Sequence, residues 1–233
     1  MGVPLPIDLN CDMGELEDAA LEAALMPYIT SANIACGGHA GDEATMRRTA
    51  RLALNHGVCI GAHPSYPDRA NFGRFEMAMT PDAIEAEVRS QIERLERALA
   101  SLAGASIAHV KPHGALYNVA ARDRDIARAI GAAVAAWNPR AVLFGLAGSS
   151  ALKVWRDMGL AVAAEAFADR RYEPDGSLRS RKFADALITD PREAAAQAAR
   201  FARDGDAQTI CVHSDTPHAL EILIACRKAL RLV

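Results

Sequence analysis

The chain reads as an α/β protein, an irregular (β/α) barrel of about seven parallel strands. Three observations predict this. Short apolar or β-branched runs alternate with longer helical periodicities almost to the C-terminal end, which is the grammar of βα units wound into a parallel sheet. The runs stop abruptly at titratable residues, in IDLNCDMGE, SANIACGGHAGD, VCIGAHPSYPD, IAHVKPHGALYN and TICVHSDTP. In a parallel barrel all strand C-termini open on one rim, so groups far apart in sequence converge on one ligand there. The length of 233 residues suits one sizeable core, and residues 1–233 are expected to form one domain. Right-handed crossovers place successive helices outside a closing sheet, which favours a barrel over an open doubly wound sheet.

Taken in order, the candidate strands are residues 5–9, 31–36, 58–62, 107–111, 141–146, 161–166 and 209–213. A helix over 17–26 follows the first strand. Asp42 precedes EATMRRTARLALNH, and Thr80-Pro81-Asp82 precede a helical run that ends near LAG. These residues supply an N-cap oxygen, proline at the first helical position and acid in the first turn, where free N–H groups and the helix dipole favour them. Asp123, Asp190-Pro191 and Thr216-Pro217 repeat the signal before the later helices. The connections 11–30, 63–79 and 169–182 exceed the usual ~2–6 residues and are candidate walls or lids of a site.

Composition narrows the ligand class. Lys and Arg total 26 against 29 Asp and Glu, a net charge of −3, so no footprint for nucleic acid or an anionic membrane exists and a small-molecule ligand is expected. The N-terminal MGVPLPIDLN lacks a secretory pattern, and no apolar run approaches the ~18 residues of a membrane span. A cytoplasmic protein is expected. Five cysteines, an odd number, suit reduced buried thiols better than a disulfide framework.

The candidate chemistry sits at the strand ends. Asp8, Asn10, Asp12 and Glu15 crowd the first exit; with Asp8 in the inward layer and Asp12 on the following loop, their carboxylates can share a proton or a cation. Glu15 either joins them or caps the helix over 17–26. His39 follows two glycines that allow close backbone approach, His63 is held by Pro64, and His113 abuts Pro112 two residues from Lys111. A lone histidine is more often structural, but three at one topological position read as functional. His56, His109 and His218 read as structural, and Cys11 and Cys36 as packing residues. Asp12, His63 and His113 form a set that suits Zn²⁺ or another divalent ion. No HExxH or other local metal signature accompanies them, so a metal-free acid–base network is the preferred reading. Lys111, at the end of an apolar strand, needs a partner carboxylate or a task. Arg69, Arg74, Arg170 and Arg171 can hold a substrate anion, and Glu165, Asp169 and Arg170 cluster at the sixth exit. GLAGSS lacks the lysine of a P-loop, and GxxxxGK[ST] occurs nowhere.

Together LNCDMGE, SANIACGGHAGD, GAHPSYPD with FGR, VKPHGALYN, EAFADRRY and ICVHSDTP resemble the LamB/YcsF family, whose members are A subunits of bacterial 5-oxoprolinase. The blocks span nearly the whole chain. The resemblance implies a barrel similar to the glycoside hydrolase/deacetylase fold. It also implies ATP-dependent cleavage of 5-oxo-L-proline to L-glutamate in a complex with subunits B and C. ATP and its Mg²⁺ are then expected mainly on the partners, since this chain has no recognisable nucleotide site. The expected catalytic residues are Asp12, Glu15, His39, His63, Lys111 and His113, and the expected substrate-binding residues are Asn10, Asp42, Arg74, Asp169, Arg170 and His213. Two positions depart from the family pattern: Gly38, where an aromatic is common, and Phe75, where a second arginine often follows Gly73-Arg74. A metal-dependent deacetylase of amino sugars and a non-catalytic subunit that binds a small acid are the alternatives, and homo-oligomerisation stays open.

Overall fold

The computed structural model describes residues 7–16 and 18–232. Seven parallel strands close a barrel in sequence order: β1 (Asp8–Met13), β2 (Ser31–Ala35), β3 (Cys59–His63), β4 (Ile107–Val110), β5 (Val142–Leu146), β6 (Ala161–Phe167) and β7 (Thr209–Cys211). Closure comes from β1, which pairs with β2 through Asn10 opposite Ser31 and with β7 through Asn10 opposite Cys211. Eight helices connect the strands: α1 (Ala19–Leu25), α2 (Glu43–Asn55), α3 (Pro81–Leu99), α4 (Gly114–Arg122), α5 (Arg124–Trp137), α6 (Ser150–Asp157), α7 (Pro191–Asp204) and α8 (Ala219–Ala229). The expected barrel is therefore the observed one.

Helix starts follow the local chemistry. The side chains of Asp42, Thr80, Asp123 and Asp190 accept the free N–H groups of α2, α3, α5 and α7, the interaction that favours short polar caps at these positions. Asp18 caps α1 in the same way, so Glu15 has no part in that cap. At α8 the expectation fails. Thr216-Pro217 do not cap it; His218 occupies the N-cap with φ 64°, while the Thr216 hydroxyl donates to Asp169 at 2.5 Å. The buried carboxylate is the stronger acceptor and draws the threonine out of the capping position.

Strand alternation builds the site. On β1, Leu9, Cys11 and Met13 join the apolar layer under the helices, while Asp8, Asn10 and Asp12 take the opposite face, as a period of two requires. The barrel interior is accordingly polar. Asn10 Nδ2 donates to Glu165 Oε1 at 2.9 Å and to Thr209 Oγ1 at 2.6 Å. Asn33 Nδ2 donates to Asn10 Oδ1 at 2.7 Å and Asp12 Oδ1 at 2.8 Å, and the His109 ring meets Asn33 Oδ1 at 2.7 Å. This interior explains why the first strand runs to Met13 rather than over 5–9: its inward residues are polar but satisfied, so the strand continues past the apolar run. Residues 5 and 6 lie outside the described residues. Asp12 thus sits on the strand, not on the loop beyond it. The interior also dictates Gly61, where a Cβ would lie 2.0 Å from His109 Nε2. Four of the five cysteines are buried as expected, but Cys59 is exposed at the start of β3.

Candidate functional site at the C-terminal rim

The loops beyond the strands enclose a cavity of about 1220 Å³. Its wall takes residues from six strand exits, with Glu15, His63, His113, Ala147, Arg170 and His213 among them. The long connections 63–79 and 169–182 contribute Arg74 and Arg181, as wall segments should.

The first group lies at the exits of β1 to β4. Glu22 on α1 accepts the backbone N–H groups of Gly14 and Glu15 at 2.6 and 3.0 Å, which turns the chain so that Glu15 faces the barrel axis. Its Oε1 lies 2.8 Å from His39 Nε2, 3.3 Å from His113 Nδ1 and 3.6 Å from His63 Nε2. The His63 and His113 rings approach through Nε2 and Nδ1 at 2.9 Å. Their other nitrogens are tied to backbone, His63 Nδ1 to Lys111 O at 2.7 Å and His113 Nε2 to Phe72 O at 3.0 Å. Burial pushes His39 down to about 4, with help from His113. Burial also lowers His113 against the pull of Glu15. For His63 burial acts the same way, but the Asp12 and Glu15 carboxylates win and raise it. Glu15 stays well below the usual carboxylate range because the imidazoles bonded to it outweigh its burial.

The second group forms the floor. Lys111 Nζ lies 2.9 Å from both Asp12 Oδ1 and Glu165 Oε1, and 3.1 Å from Cys211 Sγ. Burial penalises the ammonium, but the Asp12 and Glu165 carboxylates hold its pKa well above the ordinary value. Burial likewise opposes the Asp12 charge, and His63 and Lys111 overcome it and hold that carboxyl low. Lys111 therefore has its partner carboxylates, and it remains on the cavity wall.

The third group lies at the exits of β6 and β7. Asp169, fully buried, accepts from the His213 backbone N–H at 3.0 Å and meets His213 Nδ1 at 3.0 Å. Burial works against its charge, yet His213 and Thr216 bring it down to about 2. The bond fixes the His213 ring, which stacks on Phe167 with 5.2 Å between centroids, and leaves Nε2 free to act. At the mouth, Arg74 and Arg181 both bind Asp215, Arg181 at 3.0 Å. The Arg170 guanidinium is buried, with Nη2 on Arg179 O at 2.6 Å and Nε without a hydrogen-bond partner.

The structure thus brings together Asp12, Glu15, His39, His63, Lys111 and His113, and places Arg74, Arg170 and His213 on the wall of the same cavity, with Asp169 bonded to His213. It does not bring in two candidates. Asp42 caps α2 at the surface, and Asn10 lies beneath the floor with its amide committed to Glu165 and Thr209. The metal set is also redrawn. Glu15 gathers with His39, His63 and His113 within ligating distance, while Asp12 reaches only His63, with Oδ2 3.3 Å from Nε2, and its Oδ1 is claimed by Lys111 and Asn33. Arg69 and Arg171 serve surface contacts with Gly41 O and Glu193. Gly38 is explained by crowding, since a Cβ there would meet Ser65 Oγ and Gln91 Oε1 at 2.5 Å. Phe75 is exposed on the cavity wall. Sequence reasoning missed Arg181 and its pairing with Asp215; the only signal was the position of RSRK inside an over-long loop. His109 is structural as expected, buried and stacked on Phe144 at 4.2 Å.

Comparison with known proteins agrees with this architecture. Residues 7–232 match the model of the LamB/YcsF family. The A subunit of 5-oxoprolinase from Chloroflexus aggregans is 50% identical, covering 97% of this chain and 95% of its own length. Its counterpart from Bordetella pertussis is 47% identical, covering 96% and 94%. The crystal structure of the lactam utilization protein from Thermus thermophilus superposes with a TM-score of 0.89 at 41% identity, over 97% of this chain and 96% of that one. With the family model spanning nearly every described residue and half of all positions shared with such relatives, the chain belongs to the LamB/YcsF family.

Proposed function

We propose that this chain binds 5-oxo-L-proline at the barrel rim and opens its lactam to L-glutamate, as the A component of an ATP-dependent 5-oxoprolinase with subunits B and C. The observation that supports this most is that one cavity wall carries both a water-activating group and an anion-binding one. Glu15, His63 and His113 converge on one point of the wall, where a water can be held and deprotonated. Arg74, Arg170 and Arg181 supply the positive charge a substrate carboxylate needs. Lys111, kept cationic on the floor, suits the oxyanion that forms when hydroxide adds to the lactam carbonyl. His213, oriented by Asp169, can deliver a proton to the departing nitrogen. In the balanced step a water proton passes to the Glu15, His63 and His113 group, the water oxygen joins the carbonyl carbon, the C–N bond breaks, and the departing nitrogen takes a proton from His213 and leaves as the amine of glutamate.

The names of the relatives, which describe a 5-oxoprolinase component and a lactam utilization protein, support the same substrate class. A five-membered lactam resists hydrolysis, so the opening needs coupling to ATP. The chain has no P-loop motif, and phosphoryl chemistry is assigned to the partners. The experiment is an omission series that measures L-glutamate from 5-oxo-L-proline and ATP. The reading expects glutamate only when this chain and both partners are present. Sustained ATP-dependent glutamate formation by this chain alone, or undiminished formation by the partners without it, contradicts the reading.

A further inference from the structure

We propose that His63 Nε2, His113 Nδ1 and a Glu15 carboxylate oxygen bind a single first-row divalent cation, of which Zn²⁺ is the representative, with open coordination positions facing the cavity. The argument starts from hydrogen-bond direction. The groups facing His63 Nδ1 and His113 Nε2 are backbone carbonyl oxygens, Lys111 O and Phe72 O, and a carbonyl only accepts. Both of these ring nitrogens therefore carry hydrogen. In the neutral rings, the remaining nitrogens, His63 Nε2 and His113 Nδ1, are then bare lone pairs, yet they face each other at 2.9 Å. Glu15 Oε1, another acceptor, closes the triangle at 3.3 and 3.6 Å, and a further acceptor, Asp12 Oδ2, borders it 3.3 Å from His63 Nε2. Three acceptors in a buried triangle call for a positive centre between them.

The triangle fits a metal. Ligands at about 2.0–2.1 Å from a tetrahedral ion are roughly 3.3 Å from one another, and the three edges straddle that value. Two imidazoles and one carboxylate form the donor set of first-row divalent sites, whereas Mg²⁺ and Ca²⁺ prefer all-oxygen shells. Each ligand also has the supporting partner that metal-bound side chains typically show. The two carbonyls orient the histidines, and His39 bonds Glu15 Oε1 at 2.8 Å. His39 itself belongs behind the ligands. Its ring stacks on His113 at 3.7 Å with 2° between the planes, so an ion in the plane of His113 lies outside the plane of His39. The cavity wall agrees: it includes Glu15, His63 and His113 but not His39.

The rival occupant of the triangle is a proton carried by His63. The proposal rests on none of the lactam assignments, and the isolated chain suffices to test it. Zn²⁺ titrated by calorimetry into metal-stripped protein is expected to bind with one equivalent, and Co²⁺ in its place is expected to give a visible d–d band. His113→Gln and Glu15→Gln, each checked for a folded barrel by circular dichroism, are expected to weaken binding by more than a hundredfold. His39→Gln is expected to weaken it by about 10–100-fold, the usual effect of losing a residue that orients a ligand. Absence of stoichiometric binding in the unmodified chain overturns the proposal in favour of the shared proton. Binding that survives both ligand substitutions places the ion elsewhere and also overturns it. Neither result bears on glutamate release by the complex, which tests the lactam reading separately.

Discussion

At the scale of single residues, the site depends on charges and hydrogen bonds that are costly to leave unpartnered. Lys111 lies 2.9 Å from two buried carboxylates, Asp12 and Glu165. Replacing it with methionine strands both, and removal of one partner of a buried pair costs about 3–5 kcal/mol; urea denaturation of Lys111→Met should show a loss of that size. His109 gives a pH signature. Its burial depresses the folded pKa to about 4, below the unfolded value of about 6.5. The unfolded chain then binds more protons between these values, so the stability contributed by a neutral His109 is complete above about pH 6.5 and is lost as pH falls towards 4. Unfolding free energy measured at pH 7 and pH 5 should fall less steeply in His109→Gln than in the unmodified chain. A parallel slope for the two proteins contradicts this assignment. The three rim histidines were legible in the sequence because each follows a strand-like run. Asn10 misled because its proximity to Asp12 in sequence is proximity across a strand, and the alternation turns its amide to the floor network instead of the cavity.

At the scale of elements, four helix starts were legible because a cap is a local device: one side chain satisfies N–H groups two or three residues away. The start of α8 was not, since Thr216 is recruited by Asp169 from the β6 exit, a contact 47 residues distant. The α4 start was hidden for a related reason. His113 occupies the N-cap without capping through its side chain, having its ring nitrogens engaged by His63 and Phe72. The connection 169–182 was legible as a wall by length alone, but its key residue was not. Arg181 reaches Asp215 beyond β7 with three contacts to the carboxylate, and the pairing is visible only once the barrel is closed. Charge-assisted hydrogen bonds to a substrate carboxylate contribute about 1.5–3 kcal/mol, so Arg181→Ala should raise KM for 5-oxo-L-proline by about 10–150-fold. Its kcat should change little, as expected when an interaction binds substrate and transition state alike. A kcat that collapses with KM unchanged would instead put Arg181 in the chemical step.

At the scale of the whole molecule, the barrel was legible because the number of strands, their spacing and the polar rim all derive from one repeated βα pattern. The polar interior was not legible beyond Asp8, because the partners of these side chains, Ser31 for Asp8 and Asn33 for Asn10, come from other strands and meet them only when the sheet closes. That closed network supports the rim. It fixes Asp12 and Lys111 under the cavity, and the loops above them bring the imidazole cluster and the arginines to one wall. Among the described residues no helix is long and apolar enough to cross a membrane. The central claim is that this chain carries the lactam-opening chemistry of a larger assembly, and the most direct test is turnover of that assembly with the imidazole cluster altered. L-glutamate release from 5-oxo-L-proline and ATP should be measured with both partners present and His63→Gln or His113→Gln in place of the unmodified chain. Loss of an acid–base or metal-ligating group predicts a fall of roughly two to four orders of magnitude, in a variant whose circular dichroism and complex formation are intact. Turnover within a factor of two of the unmodified complex contradicts the account and leaves this chain a binding subunit.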